Sequence, residues 1–237
     1  MIGGGGVLHL DKLVLEQDEF RLTADWRVEA GALVAVIGPS GAGKSTLLAV
    51  IAGFFAPVSG AVRWNGDDLA GVAPGDRPVS LLFQDQNLFP HLTLAQNLGL
   101  GLRPDLRLSP EPSAQVETAL ARVGLAGLGA RKPAQLSGGQ AGRAALARAL
   151  LRARPVLLLD EPFAALGPAL KAEMLALVVE VAAESGAMVL MVTHEPGDAR
   201  GFAEQVVLVA EGVAARPVAT ADLFAAPPEA LRRYLGI

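Results

Sequence analysis

Between Gly38 and Thr46 the chain reads Gly-Pro-Ser-Gly-Ala-Gly-Lys-Ser-Thr, which fills every position of the pattern G-x-x-x-x-G-K-[ST]. A triphosphate needs many hydrogen-bond donors at close range. Glycines let the backbone approach and aim successive N–H groups at phosphate oxygens. A helix that starts at the loop adds unpaired N–H groups and the positive end of its dipole. In such a cradle Lys44 reaches the terminal phosphates, and the Ser45 hydroxyl is placed to ligate Mg²⁺. Gly38, Pro39, Ser40, Gly41, Ala42, Gly43, Lys44, Ser45 and Thr46 are therefore the expected ATP-binding residues.

A second group lies far downstream. The apolar run Val156–Leu159 ends in two adjacent carboxylates, Asp160 and Glu161. Placing two carboxylates at the end of a buried strand costs solvation energy. Beside a phosphate loop, the first carboxylate orients Mg²⁺ and the second takes a proton from an attacking water. A third group, Ser137-Gly138-Gly139-Gln140, precedes an Ala-, Leu- and Arg-rich stretch, Ala141–Ala153, that reads as a helix stopped by Pro155. Glycines at a helix start make a second anion site. One chain then carries two phosphate-binding devices. A symmetric dimer accounts for both, with the Lys44 loop of one copy capped by Ser137–Gln140 of the other.

These groups need rigid elements to hold them. Ala32–Ile37 is a short apolar run before the loop, as expected for a strand buried on both faces, and Ser45–Ala52 reads as the following helix. Val7–Leu15 reads as a strand. Phe20–Glu29 alternates apolar and polar residues with period two, the mark of a half-buried antiparallel strand. Val62–Trp64, Pro78–Phe83, Val156–Leu159 and Met188–Thr193 read as further strands, and Gln205–Ala210 with Val213–Ala215 as a hairpin turning at Glu211-Gly212. Residues 88–153 are mostly helical in pattern. Val116, Ala119, Leu120 and Val123 form one apolar stripe, and Gly124 closes that helix. Lys171–Ala183 and Glu229–Leu235 also read as helices. The expected fold is α/β: a P-loop NTPase core over 1–87 and 154–237, with an antiparallel β-subdomain and a helical subdomain inserted at 88–153.

Composition narrows the class. Hydrophobic residues make up 51% and charged residues 19%, which excludes a disordered chain. The net charge of −4 gives no electrostatic case for nucleic acid as the main partner. Without cysteine there is no disulfide framework and no thiolate metal site. No apolar run reaches the roughly 18 residues that a membrane span needs.

The segments GPSGAGKST, Gln84, LSGGQ, VLLLDEP and His194 occur in the order found in the ATPase subunits of ABC transporters, and the chain resembles that family over essentially its whole length. The resemblance implies ATP and Mg²⁺ as cofactors, with Ser45, Gln84 and Asp160 at the metal and Glu161, His194 and Gln84 as catalytic residues. It implies that Gln84 signals to a membrane permease and that His194 contacts the γ-phosphate. Residues Arg77–Leu108, with Asn97-Leu98-Gly99-Leu100-Gly101-Leu102 prominent, are similar to the ATP-binding subunits of bacterial thiamine and thiamine pyrophosphate importers. That likeness implies a homodimer on the cytoplasmic face of the inner membrane, held by permease subunits and served indirectly by a periplasmic solute-binding protein. Sulfate, polyamine and iron importers share parts of the pattern. A soluble ABC ATPase is the alternative outside transport, although such proteins usually carry coiled-coil insertions or tandem ATPase domains. The chain departs from the family in having Gly167 for the usual Asp, Ala164 for Ser, and Ala141-Gly142 after LSGGQ. It also lacks the usual early Tyr that stacks on adenine. Phe20 is the candidate for that role, since Tyr234 lies at the opposite end of the sequence.

Overall fold

The structure, a computed structural model, describes residues 6–17, 20–83, 88–107, 109–164 and 166–237. The strands are β1 (Val7–Gln17), β2 (Phe20–Glu29), β3 (Leu33–Ile37), β4 (Ser59–Trp64), β5 (Asp67–Asp68), β6 (Val79–Leu82), β7 (Val156–Asp160), β8 (Met188–Val192), β9 (Gln205–Ala210), β10 (Val213–Ala214) and β11 (Val218–Ala219). The helices are α1 (Lys44–Ala52), α2 (Leu94–Gly99), α3 (Pro110–Arg122), α4 (Gly138–Leu151), α5 (Pro168–Ser185), α6 (Pro196–Phe202), α7 (Thr220–Ala225) and α8 (Glu229–Leu235).

Strands β6, β7, β8, β3 and β9 lie side by side and all run parallel. Short apolar runs suit this position because a parallel sheet is covered on both faces. In β3, Ala35 and Ile37 enter one apolar cluster, while Val34 and Val36 enter the other. The same alternation divides Leu157 and Leu159 from Val156 and Leu158. One cluster packs under α2 to α8. The other is roofed by α1 and by the antiparallel strands β1, β2 and β4. Period-two alternation in β2 buries Leu22, Ala24, Trp26 and Val28 on the inner face.

The two parts of the sheet meet at β9. One edge of β9 bonds to β3, and its other edge carries β10 and β11. β10 in turn pairs with β2, and the Trp26 indole N–H donates to the Ala214 carbonyl at 3.2 Å.

Residues 88–153 hold α2, α3 and α4. Helix α4 begins at Gly138, three residues before the stretch legible from Ala and Leu content. Its start is set by Ser137, whose hydroxyl accepts from the Gln140 N–H while the Gln140 side chain accepts from the Ser137 N–H. Helix α5 likewise begins early, at Pro168, a residue preorganised for the first helical position. The short helices α2, α6 and α7 have no bounds of their own in the sequence reading, although the equally short α8 does; six or seven residues carry little periodicity.

Candidate functional site

The carboxyl ends of β3, β7 and β8 converge on one cleft, the usual ligand position in an open parallel sheet. The cleft is about 550 Å³, and Gln17, Phe20, Ser40, Gly41, Gly43, Lys44, Ser45, Thr46, Glu161 and His194 line it. The loop from Gly38 to Gly43 leads directly into α1. Two of its glycines are required by close approach. A Cβ at Gly38 would run into the Val209 carbonyl of β9, and one at Gly43 would run into the Phe20 ring. Both have positive φ, 150° and 96°.

Lys44 is nearly buried, and its ammonium donates to the Gly38 and Pro39 carbonyls at 2.8 Å each. Burial lowers its pKa, while the charges of Glu161 and Asp160 work the other way. The Ser45 hydroxyl donates to Asp160 Oδ1 at 3.0 Å. Burial at the end of β7 raises the Asp160 pKa; the Ser45 bond opposes this and the Glu161 charge adds to it. Two oxygen donors meeting beside a lysine ammonium match the chemistry of Mg²⁺, a hard cation bound through oxygen.

Glu161 follows with φ of 47°, a left-handed conformation uncommon outside glycine. This turn sends its side chain toward the cleft while its N–H donates to the Val192 carbonyl of β8 at 3.2 Å. The Glu161 carboxylate lies 2.5 Å from His194 Nε2. His194 sits just beyond β8, in a loop held on several sides. The Thr193 hydroxyl donates to Asp198, and the Glu195 N–H donates back to Thr193. Lys171 of α5 reaches Glu195 at 2.6 Å and Asp198 at 3.2 Å. Burial works to lower the Lys171 pKa, but the two carboxylates outweigh it and the pKa is raised.

Of the residues expected from sequence, the structure thus gathers Ser40, Gly41, Gly43, Lys44, Ser45, Thr46, Glu161, His194 and Phe20 around one cleft, with Asp160 bonded to Ser45 beneath it. Phe20 stands half-buried in the cleft wall and also packs against the apolar cluster under the antiparallel strands. Ser137, Gly138, Gly139 and Gln140 are not in this lining; they cap α4, with Gly139 against the Leu166 side chain. Gln84 lies outside the described residues.

Sequence reasoning missed three supports. Tyr234 donates its hydroxyl to the His194 carbonyl at 2.6 Å. Lys171 braces the same loop. Arg77 is 7% exposed and wraps the far end of α1, donating to the carbonyls of Val50, Ile51, Leu69 and Val72. None leaves a local motif, since each contact joins residues distant in sequence or of ordinary type.

A strand, glycine loop and helix at the end of a parallel sheet, with a carboxylate pair on a neighbouring strand, define a phosphate-loop nucleotide-binding protein. The chain belongs to the ABC transporter family, whose model matches residues 23–164. A protein of Cereibacter sphaeroides named "Thiamine import ATP-binding protein ThiQ" is 67% identical over 230 residues, covering 97% of this chain and all of that protein. A protein of the same name from Ruegeria sp. is 57% identical over 230 residues, with the same coverage. One from Mesorhizobium japonicum is 51% identical over 237 residues, covering all of this chain and 94% of its own length. Among solved structures, the ATP-binding cassette MJ0796, described as dimeric in a post-hydrolysis state bound to ADP and Pi, superposes with a TM-score of 0.79 at 29% identity. It covers 90% of this chain and 98% of its own. A second structure, described as dimeric MJ0796, a bacterial ABC transporter cassette, gives the same values.

Proposed function

We propose that this chain is the ATP-hydrolysing subunit of an importer for thiamine or thiamine pyrophosphate, acting as a homodimer against membrane permease subunits. One observation carries the chemistry: Lys44, Ser45 and the Glu161–His194 pair line a single cleft, with Asp160 bonded to Ser45 beneath it.

The backbone N–H groups of the loop and Lys44 bind and orient the phosphates. Ser45 and Asp160 would hold Mg²⁺, together with Gln84; when bound, the ion neutralises charge on the terminal phosphates. His194 holds one oxygen of Glu161, and the carboxylate polarises a water aligned with the γ-phosphorus. As the bond to the leaving ADP oxygen breaks, Lys44 and the loop N–H groups stabilise charge on the transferred phosphoryl group. Ser137, Gly138, Gly139 and Gln140 lie outside the cleft of their own chain, which supports their closing on the nucleotide of a second copy. Phe20 in the cleft wall is the surface offered to adenine.

The permease surface falls in the region 84–102. A groove of about 250 Å³ lies there between β6, α2 and α4, lined by Ser80, Phe83, Phe89, Arg148 and Arg152 among others. Phe54, Phe55 and Phe89 are each about half exposed, a concentration of apolar surface that supports docking. No helix among the described residues is long and apolar enough to cross a membrane. Attachment to the cytoplasmic face of the inner membrane would then come through the permease, with the periplasmic solute-binding protein acting only through it.

The test is Glu161→Gln in the assembled transporter. ATP binding should persist and turnover should fall at least ~100-fold, the range of a lost general base. Normal turnover would sink the assignment of Glu161.

A further inference from the structure

We propose that Tyr234, on the last helix of the chain, is a positioning residue for the hydrolytic step: its hydroxyl fixes the backbone of His194 and so aims the imidazole at Glu161. This rests on the reading of His194 and Glu161 given above.

The observations form one line of contacts. Tyr234 Oη donates to the His194 carbonyl at 2.6 Å across 40 residues of sequence. His194 Nε2 meets the Glu161 carboxylate at 2.5 Å. The His194 side chain is 40% exposed, so packing alone does not set its direction. Thr193, Asp198 and Lys171 secure the residues on either side of it. Among the described residues, the Tyr234 bond reaches the His194 main chain itself from a distant element.

Helix α8 is anchored well enough to serve as that element. Leu231 is fully buried in the main core, and Ala230, Tyr234 and Leu235 pack against the same cluster. Arg233 pairs with Glu211 at 3.2 Å, in the turn between β9 and β10, and with Glu229 at 3.1 Å. The tyrosine ring is therefore held, and the hydroxyl has a fixed position from which to donate. Burial and the nearby Glu161 charge both raise the Tyr234 pKa, so the hydroxyl keeps its proton at neutral pH and stays a donor.

The hydroxyl contributes nothing to phosphate binding, because Tyr234 does not line the cleft. Its loss should therefore act on kcat and leave KM for ATP nearly unchanged. It should also act only through His194.

The experiment is a double-mutant cycle on the full chain with Tyr234→Phe, His194→Ala and the pair, reading steady-state hydrolysis against ATP concentration. Tyr234→Phe keeps the ring and removes one hydrogen bond. We expect kcat to fall about three- to tenfold, the scale of one positioning bond, with KM within about twofold. In the His194→Ala background the same change should cost nothing further. An equal loss in both backgrounds would overturn the proposal and mark Tyr234 as a general support of the fold. So would an unchanged kcat in Tyr234→Phe while His194→Ala is impaired. Full activity in His194→Ala would overturn the reading of His194 itself. Thermal midpoints of all variants, with Tyr234→Met as a further change that also removes the ring, separate lost positioning from lost folding.

Discussion

Truncating Arg77 should weaken the protein more than any cleft substitution. The guanidinium sits where the chain leaves α1, over Gly53, whose positive φ and missing side chain make room for it. It donates to Ile51 at 2.9 Å, to Leu69 at 2.9 Å, to Val50 at 3.0 Å and to Val72 at 3.2 Å. Two of these carbonyls belong to the last turn of α1, where a cation also complements the helix dipole. A bond from a charged donor is worth about 1.5–3 kcal/mol. Desolvating the guanidinium offsets several kcal/mol of the total. What remains is a cost of about 3 kcal/mol for Arg77→Ala, mostly from carbonyls left without their donor. For a chain of this length that lowers the thermal midpoint by about 6–12 °C. Arg77→Lys keeps the charge without the planar fork, and should fall between parent and Ala. The assay is thermal unfolding by circular dichroism, with ATP affinity measured well below the transition. Lys44 lies at the other end of the helix, about 13 Å away, so affinity should hold within about threefold. A midpoint for Arg77→Ala within 2 °C of the parent, a shift of at most about 1 kcal/mol and so less than one such charged bond is worth, would refute the reasoning.

Two further outcomes follow from the cleft and its neighbours. The Asp160 pKa is raised in the folded chain above its ordinary value of 3.8, so the native state holds that proton more tightly than the unfolded chain. Its ionisation therefore removes stability as pH rises from about 3.8 through the raised value, and Asp160→Asn should flatten that slope. Measured without nucleotide, the variant should be more stable than the parent at neutral pH and equal to it in strong acid; a lower midpoint at pH 7 would contradict the burial argument. Gly167 caps α5 with extended backbone, no side-chain bond and open space where a Cβ would go. Gly167→Asp should then supply a cap and stabilise by a few tenths of a kcal/mol, about 1 °C in the melt, and a loss of stability would show that the position is strained.

The parts of the site that local sequence could announce are those whose chemistry is local. A phosphate loop must be contiguous, because its donors are successive backbone amides, so Gly38–Thr46 declares itself. Asp160 and Glu161 stand out because two carboxylates end a run of buried leucines. The parallel strands were legible for the same reason: Val156–Leu159 and Met188–Thr193 have no polar face to expose. What was not legible is what distant segments do to one another. Tyr234 reads as a surface tyrosine on a short helix until its hydroxyl is seen on His194. Arg77 reads as the start of a segment similar to thiamine importers, and nothing local shows that it holds the end of α1. Ser137 and Gln140 were legible as part of a glycine-bearing helix start, but their mutual bonds moved that start to Gly138, ahead of the Ala-rich stretch.

The seating of β3 between β8 and β9 also sets a timetable for synthesis. The strand that carries the phosphate loop has as its described neighbours residues 188–192 and 205–208, so both of its edges wait for the last quarter of the chain. At ordinary translation speeds, Ile37 leaves the ribosome on the order of ten to thirty seconds before Gln205. During that interval Leu33–Ile37 is an apolar strand with two unmatched edges, the kind of segment that seeks other chains. A transcript or ribosome that stops before residue 205 thus yields an aggregation-prone fragment rather than a weaker ATPase. For a nascent copy of this protein, the period of greatest exposure lies between the making of its nucleotide loop and the arrival of the strands that enclose it.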